Sequence, residues 1–127
     1  MIRFTIPYPK LPKGKGLSSV YGLNAIYAGK HWTKRQKDSE YWHALVQNEL
    51  RKQGIKRKLF QKSVRIAFSW DDKLDVDNHA YMAKMITDAL KGYLITDDSR
   101  KYYQETINKF YRGDKILVEI EEINHAE

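Results

Sequence analysis

"SVRIAFSWDDKLDVDNHAYMAKMITDALKG", residues 63–92, passes from a strand pattern to a helix pattern through a run of acids. Val64, Ile66, Phe68 and Trp70 alternate with Arg65, Ala67 and Ser69, the period of a half-buried strand. From about Asn78 to Lys91 the period becomes helical. At roughly 100° per residue, Met82, Met85, Ile86 and Ala89 fall within about a third of the circle and predict a buried stripe. Both methionines therefore read as core, and Gly92 as the helix stop. Asp77, Tyr81, Lys84, Asp88 and Lys91 occupy a second arc, with Asp75 just ahead of it.

Upstream, "RFTI" (residues 3–6) predicts a short strand stopped by Pro9 and Pro12, followed by a long basic and aromatic loop over residues 10–31. A helix is expected from Thr33 or Ser39 to Gln53, with Trp42, Leu45, Val46 and Leu50 on its apolar face and Gly54 at its end. Downstream, "KYYQETINKFYRG" and "KILVEIEE" read as a hairpin turning at Gly113–Asp114, with Ile116, Val118 and Ile120 on one face of its second strand. The expectation is one α+β domain over residues 1–127. It has a mixed sheet of about four strands and two helices, in the order β-α-β-α-β-β.

Composition narrows the function. No apolar run approaches the roughly 18–20 residues of a membrane span, and the opening "MIRFTIPYPK" has no signal-peptide core, so a cytoplasmic protein is expected. The chain has no cysteine, which excludes disulfides and thiolate metal sites. Formal charge is +7, and residues 1–60 carry thirteen Lys and Arg against three acids. Such an excess suits a polyanionic partner. Lys13, Lys15, Lys30, Lys34 and Arg35 are the candidate DNA contacts. His31 and Trp32 suit stacking on bases, with Trp32 in the core as the alternative.

Against that excess, Asp75, Asp77, Asp88, Asp97 and Asp98 gather within 24 residues. An N-cap at Asp77 or Asn78 and a turn at Asp97–Asp98 explain some of them structurally. If residues 92–96 turn back along the helix, the Asp97–Asp98 pair approaches Asp75 and Asp77, and a divalent cation becomes the natural counter-charge. All-carboxylate ligands favour Mg²⁺ or Mn²⁺. A hard cation in a basic protein points to hydrolysis of a nucleic-acid phosphodiester, with Lys84 assisting. His79 reads as an exposed helix-start residue rather than a ligand.

"DVDNHAYMAKMITDALKGYLITDDS" resembles the signature of the RusA-type Holliday-junction resolvases: D-L-D-N, a lysine, D-A-L, then a D-D pair. "IPYPKLP" is similar to that family's opening strand and turn, and "LNAIYAGKHWTKR" to its Asn-and-Tyr loop. Three additional residues, His79-Ala80-Tyr81, stand between Asn78 and Lys84. The resemblance implies a RusA-like fold and a homodimeric, Mg²⁺-dependent endonuclease. Such an enzyme resolves four-way junctions by paired nicks in DNA recombination and repair, and is often phage-encoded. It puts metal on Asp75, Asp77 and Asp98 and makes Lys84 the essential lysine, leaving Asp88 and Asp97 as supporting acids. A nuclease for flaps or forks, and a non-catalytic basic DNA-binding module, are the alternatives.

Overall fold

The computed structural model describes residues 1–123. Four strands form one open mixed sheet: β1 (Ile2–Pro7), β2 (Val64–Trp70), β3 (Tyr103–Phe110) and β4 (Lys115–Glu122), in spatial order β1-β4-β2-β3. β4 runs antiparallel to both β1 and β2, whereas β3 is parallel to β2. The register stacks the expected alternations into rows. Phe4, Val118 and Phe68 share one row, and Ile2, Ile120 and Ile66 the next. These rows make one face of the sheet, and all six side chains except the partly covered Ile2 are buried. The opposite face is charged: Arg65 pairs with Glu105 and Glu121, and Arg3 with Glu119.

One apolar face must be covered by helices. Helix α3 (Trp32–Lys52) does this with Trp42, Val46 and Leu50, and α4 (Ala80–Leu90) with Met82, Met85, Ile86 and Ala89, all in a single core. The two are tied by a hydrogen bond from Gln47 Nε2 to the Ala89 carbonyl, 2.7 Å. Gln53, just past α3, donates to and accepts from the Thr5 backbone, satisfying the outer edge of β1. Gly92, at φ 76°, ends α4 in the left-handed region that favours glycine. Among the described residues no helix is long and apolar enough to cross a membrane.

Three local expectations are corrected. β3 and β4 do not form a hairpin, because β2 lies between them. The crossover through α4 delivers β3 parallel to β2, so β4 pairs on β2's other side. The connection at residues 111–114 spans the roughly 10 Å between strands two apart and is pinned by Tyr111 N–H to the Trp70 carbonyl, 3.0 Å. The segment 10–31 is not all loop: it contains the short helices α1 (Leu17–Tyr21) and α2 (Leu23–Tyr27), with Tyr21 buried. The second helix does not begin as an α-helix, since residues Val76–His79 form a 3-10 turn ahead of α4.

Candidate functional site

The acids begin where β2 ends. Asp72 is the anchor: its carboxylate accepts from Tyr8 O–H at 2.7 Å, from the Leu74 N–H at 2.9 Å and from His79 Nε2 at 2.8 Å. His79 is fully buried, corrected from the exposed position expected of it. Its ring stacks on Trp70 at 4.4 Å, and its Nδ1 meets the Val76 carbonyl at 3.0 Å. With both ring nitrogens and one face engaged, His79 holds the 3-10 turn from beneath and is not free to bind an ion. Asn78 holds the turn from the side, accepting the Leu23 N–H through Oδ1 at 2.6 Å. Gly22 packs so closely there that a Cβ would sit 2.6 Å from the Ser18 carbonyl and 3.2 Å from Asn78 Nδ2.

A turn fixed on two sides leaves Asp75 and Asp77 exposed. The Asp75 side chain makes no cap bond to the turn it precedes. It lines a cleft between the acidic segment and α1–α2, facing Leu17, Ser18 and Asn24.

The remaining acids meet at the far end of α4. Lys84 Nζ lies 2.9 Å from Asp88 Oδ1 and 3.0 Å from Asp98 Oδ2; Lys91 Nζ lies 3.0 and 3.2 Å from the same two oxygens. Two carboxylates and two ammoniums thus cancel locally, which removes the repulsion expected between Asp88 and Asp98. Lys84, then Lys91, hold the Asp98 carboxyl below the usual carboxylate range, while hydrogen bonding, first to Asp88, raises both lysines. Asp97 closes its own turn through the Ser99 N–H at 2.7 Å, and Ser99 lowers its pKa. Lys84 and Asp98 border a groove between α4 and β3, whose inner face contributes Tyr103, Thr106 and Asn108.

The structure therefore joins Lys84, Asp88 and Asp98 and keeps Asp75 and Asp77 together on one turn. Among the described residues no three His, Asp or Glu side chains are grouped to hold a metal ion. In kind, the donors suit Mg²⁺: Asp75 and Asp77 have no ion-pair partner among the described residues, and both lysines use the same oxygen of Asp98, leaving Oδ1. The three carboxylates expected to share one ion, Asp75, Asp77 and Asp98, are not grouped as such a set.

Tyr81, expected on the acid arc, is buried and donates to Asp38 on α3 at 2.7 Å. Among the candidate DNA contacts, Lys13, Lys15, Lys34 and Arg35 are exposed, as is Trp32. Lys30 differs: its ammonium pairs with Asp38, donates to the Val20 carbonyl at 2.7 Å and sits over the rings of Tyr21 and Tyr81. No protein-family model and no curated protein matches this chain.

Proposed function

We propose that the protein is a metal-dependent endodeoxyribonuclease of the RusA type, acting on branched DNA and resolving four-way junctions as a homodimer. The reading rests chiefly on the acidic turn: Asp75 and Asp77 stand exposed, and without an ion-pair partner among the described residues, on a segment fixed by buried His79 and by Asn78. Holding two unpaired carboxylates rigidly at the end of a central strand has no evident use for stability. It suits a site that pre-organises ligands for a cation. The exposed cations of the basic first half, Lys13, Lys15, Lys34 and Arg35 among them, supply the attraction to DNA.

In this reading Asp75, Asp77 and Asp98 would hold Mg²⁺, with Mn²⁺ able to substitute. When bound, the ion supplies Lewis acidity toward the phosphodiester and an activated water. Lys84, kept charged by Asp88 and Asp98, would stabilise developing phosphate charge. Two symmetric cuts call for two copies related by a two-fold axis. The test is Asp77→Asn on a synthetic four-way junction. Cleavage should be lost and binding retained or tightened, because one repulsive charge is gone; cleavage at the wild-type rate refutes the assignment. Flaps and linear duplex in parallel decide the substrate, and equal rates on all three would remove junction resolution.

A second reading has an observation of its own. The Lys84–Asp88–Lys91–Asp98 cluster is already neutral, as expected if those acids only brace a non-catalytic DNA-binding module. Calorimetry separates the two, since the module predicts no heat on adding Mg²⁺ or Mn²⁺.

A further inference from the structure

Away from the acids, a groove of about 630 Å³ runs between α1–α2 and the first turns of α3. Val20, Ala25 and Ala28 contribute apolar lining, while Lys15, Lys34 and Lys37 contribute cations. Lys34 and Lys37, three residues apart, lie on one face of α3 with His31. The one acid of the groove, Asp38, is already occupied by Lys30 and by Tyr81. Lys15, Lys34 and Lys37 have no ion-pair partner among the described residues, so the uncompensated charge is positive.

Two aromatic rings that the core does not use flank residues of the lining, Trp32 next to His31 and Tyr27 next to Ala28. Trp32 is 61% exposed and stacks on His31 with ring centroids 5.8 Å apart. Tyr27, the residue before Ala28, is 80% exposed. An exposed indole and phenol present flat π-faces on which an unpaired base can stack. Cations in a groove with free ring faces alongside form the surface that takes a single nucleic-acid strand. Lysines track phosphates and rings stack on unpaired bases, which a duplex keeps hidden.

We propose that this groove binds single-stranded nucleic acid, with phosphates on Lys15, Lys34 and Lys37 and a base stacked on Trp32. The same α1–α2 segment that lines this groove through Ser19, Val20 and Ala25 lines the Asp75 cleft through Leu17, Ser18 and Asn24. A strand leaving the groove around that segment reaches the acidic turn. This deepens the nuclease reading by making an unpaired strand part of the substrate, and rests on that reading only for the strand's destination.

The test uses the full chain in EDTA, so that binding is scored without cleavage. The probes are an oligothymidylate of about sixteen nucleotides, an abasic strand of the same length and a duplex. Trp42 and Trp70 are fully buried, so Trp32, stacked on the groove residue His31, is the exposed indole that a bound base would quench. Its fluorescence should be quenched by the oligothymidylate and not by the abasic strand. Trp32→Ala should weaken oligothymidylate binding about fivefold to a hundredfold and leave abasic binding unchanged. Lys34→Gln with Lys37→Gln should flatten the slope of log K against log salt by roughly 1.4, about 0.7 per phosphate contact on a single strand. Unchanged binding in Trp32→Ala overturns the proposal, as does equal affinity for duplex, or quenching by anionic vesicles but not by the oligomer. If these variants bind normally while Asp77→Asn stops cleavage, the groove assignment fails and the nuclease survives. If the groove binds as described and the wild type never cuts, the reverse holds.

Discussion

Replacing Asp72 by Asn tests whether the acidic turn is held from beneath. The change keeps shape and removes charge at a side chain only 9% exposed. In the wild type both carboxylate oxygens accept: Oδ1 from the Leu74 N–H and His79, Oδ2 from Tyr8 and His79. An amide can accept at one of these positions only; at the other its N–H₂ confronts a donor. If that position is Oδ2, the amide nitrogen cannot accept and the Tyr8 hydroxyl hydrogen loses its acceptor, while the hydroxyl oxygen still serves the Asp71 N–H. Losing one charge-assisted bond costs about 1.5–3 kcal/mol, and a stranded donor costs about as much again, less what water recovers at half-buried Tyr8. The expected total is about 3 kcal/mol. For a chain of this size it lowers Tm by about 10 °C. Urea unfolding gives the free energy directly, with an unchanged m value showing that only stability has moved. Tyr8→Phe, which leaves Asp72 its other donors, should cost about 1 kcal/mol. Asp77→Asn, exposed and unpaired, should stay within about 0.5 kcal/mol. If Asp72→Asn costs no more than Asp77→Asn, His79 is not clamping the turn and the argument for a rigid acidic platform fails.

Gly22→Ala should destabilise by about 1–3 kcal/mol, because its methyl meets the Ser18 carbonyl at 2.6 Å and crowds Asn78; a neutral result in urea would mean that α1–α2 shifts freely against the turn. Asp98→Asn should reduce stability at neutral pH by less than about 1 kcal/mol, since the pairs are partly exposed. Lys84 and Lys91 depress the folded pKa of Asp98 below its unfolded value of about 3.9, so this contribution is present above that pH and lost as pH falls through the folded value. Wild-type and Asp98→Asn stabilities, measured by denaturation from pH 7 down to about pH 2, should therefore converge in acid; a constant gap would contradict the ion-pair account.

Periodicity carried most of the fold. β2 and β4 carry their buried side chains on alternate positions at Ile66, Phe68, Val118 and Ile120, and the apolar stripes of α3 and α4 were readable because each packs on a single sheet. β3 was not readable in the same way. It lies at the sheet edge, and its inward side chains Tyr103, Thr106 and Asn108 line a groove rather than a core. Its parallel pairing depends on the α4 crossover, which "RGDK" cannot reveal, so the local turn signal at Gly113–Asp114 suggested a hairpin. Within the site, the helical arc predicted the association of Lys84, Asp88 and Lys91 but not their partner Asp98. The wheel gives angle and not depth: Tyr81 shares the arc yet meets α3 through Asp38. The 3-10 turn, at three residues per turn, also shifts Asp77 out of the register an unbroken α-helix gives it. The burial of His79 was not readable because its partners, Asp72 and the Val76 carbonyl, are set by the path of the turn. Lys30 looked like its neighbours in sequence; only tertiary packing shows its charge enclosed by Tyr21, Tyr81 and Asp38.

The most direct measurement is the product pattern from a synthetic mobile four-way junction incubated with the wild-type chain, with Mg²⁺ and with EDTA. Paired nicks at symmetric positions, ligatable and seen only with the metal, are the expected result. An intact junction under conditions where the protein binds it would contradict the nuclease account and leave a basic DNA-binding fold whose acids are structural.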